Sequence, residues 1–291
     1  MIVTNPKELI LNAWHLHYAL PAFNVCNIEM ARAVLEAAET EQAPVILQAY
    51  PGDIRHAGLS TLSCVLKVLA ARASIPVFLH LDHPDDLSMT LECLRHGFGS
   101  VMFDGGHLPI EQNILETRRV VEIAHDAGAI VEGELGQFGG EHQGMRVEAT
   151  HPSEAGRMFE EAEVDMLAVS VGSIHGEKSR LDLNLLEQIV QHASGPLVLH
   201  GGSGIYADDL REAVKLGVVK INIGAAIIDA WLTGLKQGMQ LEISHYPKHY
   251  HVMRHAVDSI RSVAQEKLKL AGASGKAANF EEVHTGEPEK T

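Results

Sequence analysis

Acidic residues, histidines and an asparagine fall repeatedly at the C-terminal ends of short aliphatic runs. The run from Pro76 closes on "HLDH", which sets Asp82 beside His83. The run from Ser100 closes on Asp104, and that from Ala129 on Glu134. The run from Met166 leads through "SIHG" to His175, that from Pro196 closes on His200, and that from Val218 on Asn222. Neutral imidazoles suit zinc, and three protein ligands with an open fourth position is a catalytic arrangement. The chain holds 18 histidines, so a single one at such a place reads as chance. Three of them, with Asp82 adjoining one and glycine-rich turns following two, point to a metal centre beside a carboxylate that moves protons.

The stretch "LVLHGGSG" adds a second chemistry. Gly201, Gly202, Ser203 and Gly204 follow His200 directly. Such a turn offers backbone N–H groups and a hydroxyl to an anion, on the expectation that it opens a helix. A second donor loop follows at Gly224 and Ala225. A metal ligand adjoining an anion nest calls for a substrate with a chelating group close to a phosphate, as in a hydroxyketone phosphate. Two other features compete. Lys220 could form a Schiff base if desolvated, with a structural or ion-paired lysine as the plainer reading. "HLH" (His15, His17) resembles the paired histidines of metal-dependent hydrolases but precedes the first aliphatic run, at the wrong end of the array.

Eight such runs occur: from Pro21, Pro44, Pro76, Ser100, Ala129, Met166, Pro196 and Val218. They are near-continuous in apolar character, as strands covered on both faces are. Helical periodicity fills the intervals. Met30, Ala33, Val34 and Ala37 share one face; Ile114, Val120 and Ile123 share another, with Gly128 as C-cap; Leu210, Val214 and Leu216 share a third. Eight strands alternating with helices predict an α/β (β/α)₈ TIM barrel, in which function gathers at the C-terminal strand ends. Beyond Ala226 the pattern is helical only, which adds C-terminal helices. One domain over 1–273 is expected, with a polar, frayed tail over 274–291.

The chain has 291 residues, 46% of them hydrophobic, and a formal net charge of −15. That charge argues against nucleic acid and anionic membrane as partners. Three cysteines without a CxxC pair, and no basic-then-apolar leader, fit a cytoplasmic protein with reduced thiols.

The segments "PAFNVCN", "HLDH", "GFGSVMFDGGHLP", "VEGELGQFGG", "LAVSVGSIHG", "LVLHGGSGI" and "KINIG" together resemble the class II, metal-dependent ketose-bisphosphate aldolases, from about Pro21 to Gly272. The resemblance implies a zinc-dependent barrel, or one using another divalent metal, that is a homodimer or homotetramer and reversibly cleaves a ketose phosphate to dihydroxyacetone phosphate and an aldehyde. It implies that His83, His175 and His200 hold the metal, with Asp104 and Glu134 as candidates for a second metal position, and that Asp82 transfers the proton. Asn24, Gly176, Gly201, Gly202, Ser203, Asn222, Gly224 and Ala225 would hold the dihydroxyacetone phosphate half. In the family a glutamate in the loop after "QFGG" supplies a second acid; here Glu141 and His142 fall there, and Glu141 is the residue assigned.

Other positions depart from the family pattern. Tyr50 and Gly106 stand where serines are usual, Ala225 where threonine is usual, and Tyr250 where an arginine would grip the distal phosphate. Lys248 or Arg254 could stand in for that arginine. The alternative is an aldolase whose aldehyde half lacks the phosphate or carries a sulfonate or carboxylate. A Schiff-base aldolase using Lys220 and a non-catalytic partner subunit are the other readings.

Overall fold

The computed structural model describes residues 1–3, 5–137, 148–241 and 248–280. Eight parallel strands close in sequence order into one barrel. They are β1 (Leu20–Asn24), β2 (Val45–Ala49), β3 (Val77–Leu81), β4 (Ser100–Met102), β5 (Ile130–Leu135), β6 (Met166–Val169), β7 (Leu197–Leu199) and β8 (Val218–Ile223). All eight expected runs are strands, and β8 pairs back to β1 through Leu20–Lys220 and Ala22–Asn222. No edge is left open, and helices outside with packed side chains inside bury the strands along nearly their whole length.

Helices cover the outside: α1 (Pro6–His15), α2 (Ile28–Thr40), α3 (Pro51–Ala57), α4 (Leu59–Arg72), α5 (Leu87–Arg95), α6 (Ile110–Asp126), α7 (Pro152–Glu161), α8 (Leu183–His192), α9 (Ala207–Lys215), α10 (Ala225–Leu241) and α11 (His249–Leu270). Their starts carry ordinary chemical signals. Asn27, Asp86 and Asp182 cap α2, α5 and α8 by accepting from Met30, Met89 and Leu185 N–H. The α2 face is buried as its spacing predicts. On α6 the buried set is Asn113, Ile114, Thr117, Val120, Val121 and Ala124, while Ile123 is only half-buried. No single described helix is long and apolar enough to cross a membrane.

The expected boundary at 273 shifts. Ser274 to Phe280 are docked rather than frayed: Gly275 and Ala277 N–H donate to Glu41 and Gln42 carbonyls, and Phe280 is buried. These bonds tie the segment to the C-terminal end of α2. Residues 281–291 lie outside the described set.

The barrel interior is not uniformly aliphatic. Gln48, His80, Ser100, Glu132 and Lys220, from β2, β3, β4, β5 and β8, are all fully buried. Lys220 Nζ lies 2.8 Å from Glu132 Oε2, and His80 Nδ1 lies 2.7 Å from Ser100 Oγ. This polar layer sits directly beneath the mouth formed by the C-terminal strand ends.

Candidate active site and metal centre

His83, His175 and His200 meet at the mouth, each following a different strand. Their candidate ligand atoms lie within 4.8 Å of one another. The backbone is bent to achieve this. His83 itself has φ 45°, and Gly176 and Gly201, each directly after a histidine, have φ 75° and 70°. A non-glycine residue at positive φ costs of order 1–3 kcal/mol and persists where the surroundings impose it.

Two of the rings have their second nitrogen committed to a carboxylate. His83 Nδ1 is 2.8 Å from Asp104 Oδ2, and His200 Nε2 is 2.9 Å from Glu132 Oε1. A ring N–H donating to a carboxylate leaves the opposite nitrogen as a lone pair. Those remaining atoms, His83 Nε2 and His200 Nδ1, face each other at 3.1 Å. Two lone pairs at that distance repel unless a proton or a cation lies between them. The local field is one that stabilises positive charge. Burial works against a charged His83 ring, but Asp82, Asp104 and Glu134 together outweigh it and raise its pKa to about 10. Burial also works to raise Asp104, and the His83 ring more than reverses this, bringing it to about 2. His200 stays neutral, pushed well below the usual histidine range by burial and by His83 and Lys220.

Asp104 and Glu134 also group with His83 as a second set of possible ligands. Burial, then the neighbouring Asp104, holds the Glu134 carboxyl well above the usual range. No hydrogen bond within the described residues reaches its buried Oε2. Hard and borderline donors of this kind, with an orphaned carboxylate oxygen, fit a divalent ion.

Asp82 is nearly fully buried beside this cluster, with Oδ1 3.9 Å from His83 Nε2. Three amides fix it. Asn222 Nδ2 donates to Oδ1 at 2.9 Å, while Asn24 and Gln48 donate to Oδ2 at 3.1 and 3.2 Å. Asn222 lines the expected anion cleft and its side chain also orients Asp82, while its carbonyl oxygen accepts from Lys220.

The cleft expected to take the anion is lined by Gly176, Gly201, Ser203, Asn222, Gly224 and Ala225, together with Asn24, Asp82 and His175. The glycine turn does not itself open α9, which begins at Ala207. Two of the turn's N–H groups are used internally, Gly202 on Asn222 carbonyl and Gly204 on Gly201 carbonyl. Gly202 therefore holds the turn against β8 rather than lining the cleft. The helix that faces the cleft is α10: its first turn begins at Ala225, and Ser203 Oγ accepts from Ala226 N–H at 3.1 Å. From α11, the nearly buried Lys267 donates to Gly202 and Ser203 carbonyls at 3.3 and 3.1 Å.

Some expected residues lie elsewhere. Glu141 and His142 are outside the described residues. His15 and His17 are exposed, at the end of α1. Gly106 is dictated by packing, since a Cβ there would sit 2.0 Å from Gly136 carbonyl oxygen. Gln48, Glu132 and Lys267 were missed. Only Glu132 left a signal, being two residues before Glu134 in one strand and therefore on the same face.

Residues 4–276 match the model of the family described as fructose-bisphosphate aldolase class-II. Among solved structures, the YdjI aldolase from Escherichia coli K12 is 31% identical, with 95% of this chain and 100% of that one covered and a TM-score of 0.85. A putative fructose-1,6-biphosphate aldolase from Coccidioides immitis is 24% identical over 95% and 99%, TM-score 0.85. A fructose-bisphosphate aldolase from Campylobacter jejuni is 22% identical over 94% and 96%, TM-score 0.81.

Proposed function

This chain belongs to the class-II fructose-bisphosphate aldolase family and is an aldolase, and from that premise we propose that it cleaves a ketose phosphate reversibly to dihydroxyacetone phosphate and an aldehyde. The observation that carries this reading is the facing pair His83 Nε2 and His200 Nδ1, with Asp82 adjoining it and an anion cleft alongside. His83, His175 and His200 would hold a divalent ion, zinc by ligand type, with Asp104 and Glu134 as candidates for a second position. When bound, the ion supplies Lewis-acid polarisation of the substrate carbonyl and its neighbouring hydroxyl.

The protein's own groups supply the rest. The N-terminus of α10, Ser203 and the Gly176 and Gly201 turns receive the phosphate. Lys267 pins the carbonyl side of that loop, so its N–H side faces the anion. Asn24, Gln48 and Asn222 hold Asp82 in one orientation. Asp82 takes the proton from the C4 hydroxyl; the C4 carbonyl forms, the C3–C4 bond breaks, and its electron pair stays on C3. A second acid returns a proton to C3, a role assigned to Glu141, with His142 as the other candidate. Lys220 takes no part as a nucleophile, because Glu132 holds it as an ion pair beneath the site.

The free thiols Cys26, Cys64 and Cys93 support a reducing cytoplasmic location. Ile228, Leu232 and Met239, exposed along α10, support a homodimer or homotetramer. The test is exchange of the C3 proton of dihydroxyacetone phosphate with solvent, with metal content measured in parallel. Exchange that vanishes with EDTA and returns with zinc is the expected result. Exchange that survives chelation rejects the reading.

A further inference from the structure

We propose that the aldehyde half of the substrate is an uncharged hydroxyaldehyde, so that the ketose carries one phosphate and no second anionic group. This rests on the aldolase reading above and concerns the far end of the same site.

Two clefts meet at Asn24, Asp82 and His175. One is the anion cleft on α10. The other, about 390 Å³, shares those three residues and is otherwise lined by different ones. A substrate with its phosphate on α10 and its reacting carbons at Asp82 must lay its remaining carbons in this second cleft. The wall beyond the histidines is made by Tyr50, Pro84, Asp85, His107 and Gln137. Among the described residues no lysine or arginine lines the cleft, while four carboxylates do, from Asp82, Asp85, Asp104 and Glu134. The nearby Arg55 is ion-paired with Asp85. A phosphate dianion seated here would give up its water beside carboxylates, without the charged donors that such groups require.

The two basic residues that could replace a missing arginine, Lys248 and Arg254, do not line this cleft. Lys267, near the C-terminal end of α11, touches the anion loop. Arg254 lies 13 residues earlier on the same helix, roughly 20 Å along its axis at 1.5 Å per residue, and Lys248 is farther still. The wall suits a polyol instead. The Asp85 carboxylate and the Gln137 amide accept from hydroxyls, and the half-exposed Tyr50 ring offers a face to sugar C–H groups.

The experiment condenses dihydroxyacetone phosphate with three aldehydes on the zinc-loaded enzyme: glyceraldehyde, glyceraldehyde 3-phosphate and tartronate semialdehyde. The expected kcat/KM for glyceraldehyde exceeds that for either anionic aldehyde at least tenfold. Asp85→Lys shifts the ratio toward glyceraldehyde 3-phosphate at least tenfold. A wild-type ratio below ten, or a ratio that Asp85→Lys leaves unmoved, overturns the inference. Proton exchange of dihydroxyacetone phosphate, run without aldehyde, separates the two claims. Its loss counts against the aldolase reading; its presence with an anionic preference counts against this inference alone.

Discussion

Replacing Lys220 with methionine removes an ammonium from a place water does not reach. Its Nζ is 2.8 Å from Glu132 Oε2, and both side chains are fully buried. Removing one member of a buried pair strands the other, which costs about 3–5 kcal/mol. For a chain of this size each kcal/mol moves Tm by roughly 2–4 °C, so Lys220→Met lowers it on the order of 10 °C. Glu132→Gln strands Lys220 by the same argument. The double variant strands neither, so the two losses fall short of adding by at least about 2 kcal/mol. Thermal or denaturant unfolding of the four proteins gives that interaction energy directly. Additivity within about 0.5 kcal/mol would refute the idea that these two charges stabilise each other beneath the site. A chemical readout accompanies it. Lys220→Met retains EDTA-sensitive proton exchange, and borohydride with dihydroxyacetone phosphate adds no mass to the wild type. Mass added at Lys220 would reinstate the Schiff-base mechanism.

Asp82→Ala lowers kcat by about 10²–10⁴-fold while zinc content stays at the wild-type level, measured by steady-state kinetics and metal analysis together. In the metal-free protein the His83 pKa is raised from 6.5 to about 10, so its protonated form contributes stability below pH 6.5. That contribution is lost as pH rises through 10, and Tm of the chelated protein falls across this interval more than that of His83→Gln. The same shift requires zinc binding at pH 8 to release a proton from His83, and pH-stat titration showing no release would contradict it. Lys267→Met raises KM for dihydroxyacetone phosphate about tenfold with a smaller change in kcat, because the carbonyls of Gly202 and Ser203 lose a charged donor worth about 1.5–3 kcal/mol. An unchanged KM would remove Lys267 from the anion loop's support.

Much of the site was legible because a barrel strand is a one-dimensional signal. A run of buried aliphatics marks the strand, and the polar residue that ends it marks the mouth, so Asp82, His83, Asp104, Glu134, His175 and His200 stood out. Glu132, Gln48 and Lys220 were harder to read, since polar residues inside such runs face an interior whose contents come from other strands. Lys267 lies 64 residues beyond the loop it supports, within an ordinary amphipathic helix. The glycine turn after His200 does not open a helix, and the cleft it borders is fronted by α10 instead, because glycines announce a turn without saying which neighbouring helix axis aims at it.

The sequence by itself determined the eight strands, their closure into a barrel and the residue types at its mouth, because burial on both faces and helical spacing are local patterns. Tertiary structure alone decided which nitrogens of His83 and His200 face each other, that Asn222 serves Asp82, and that α10 begins at the cleft bordered by Ser203 and Gly224. Those outcomes depend on angles and distances of a few ångströms set when strands distant in sequence close together. Hydrogen bonds are short-ranged and directional, so they respond to that closure and not to position along the chain.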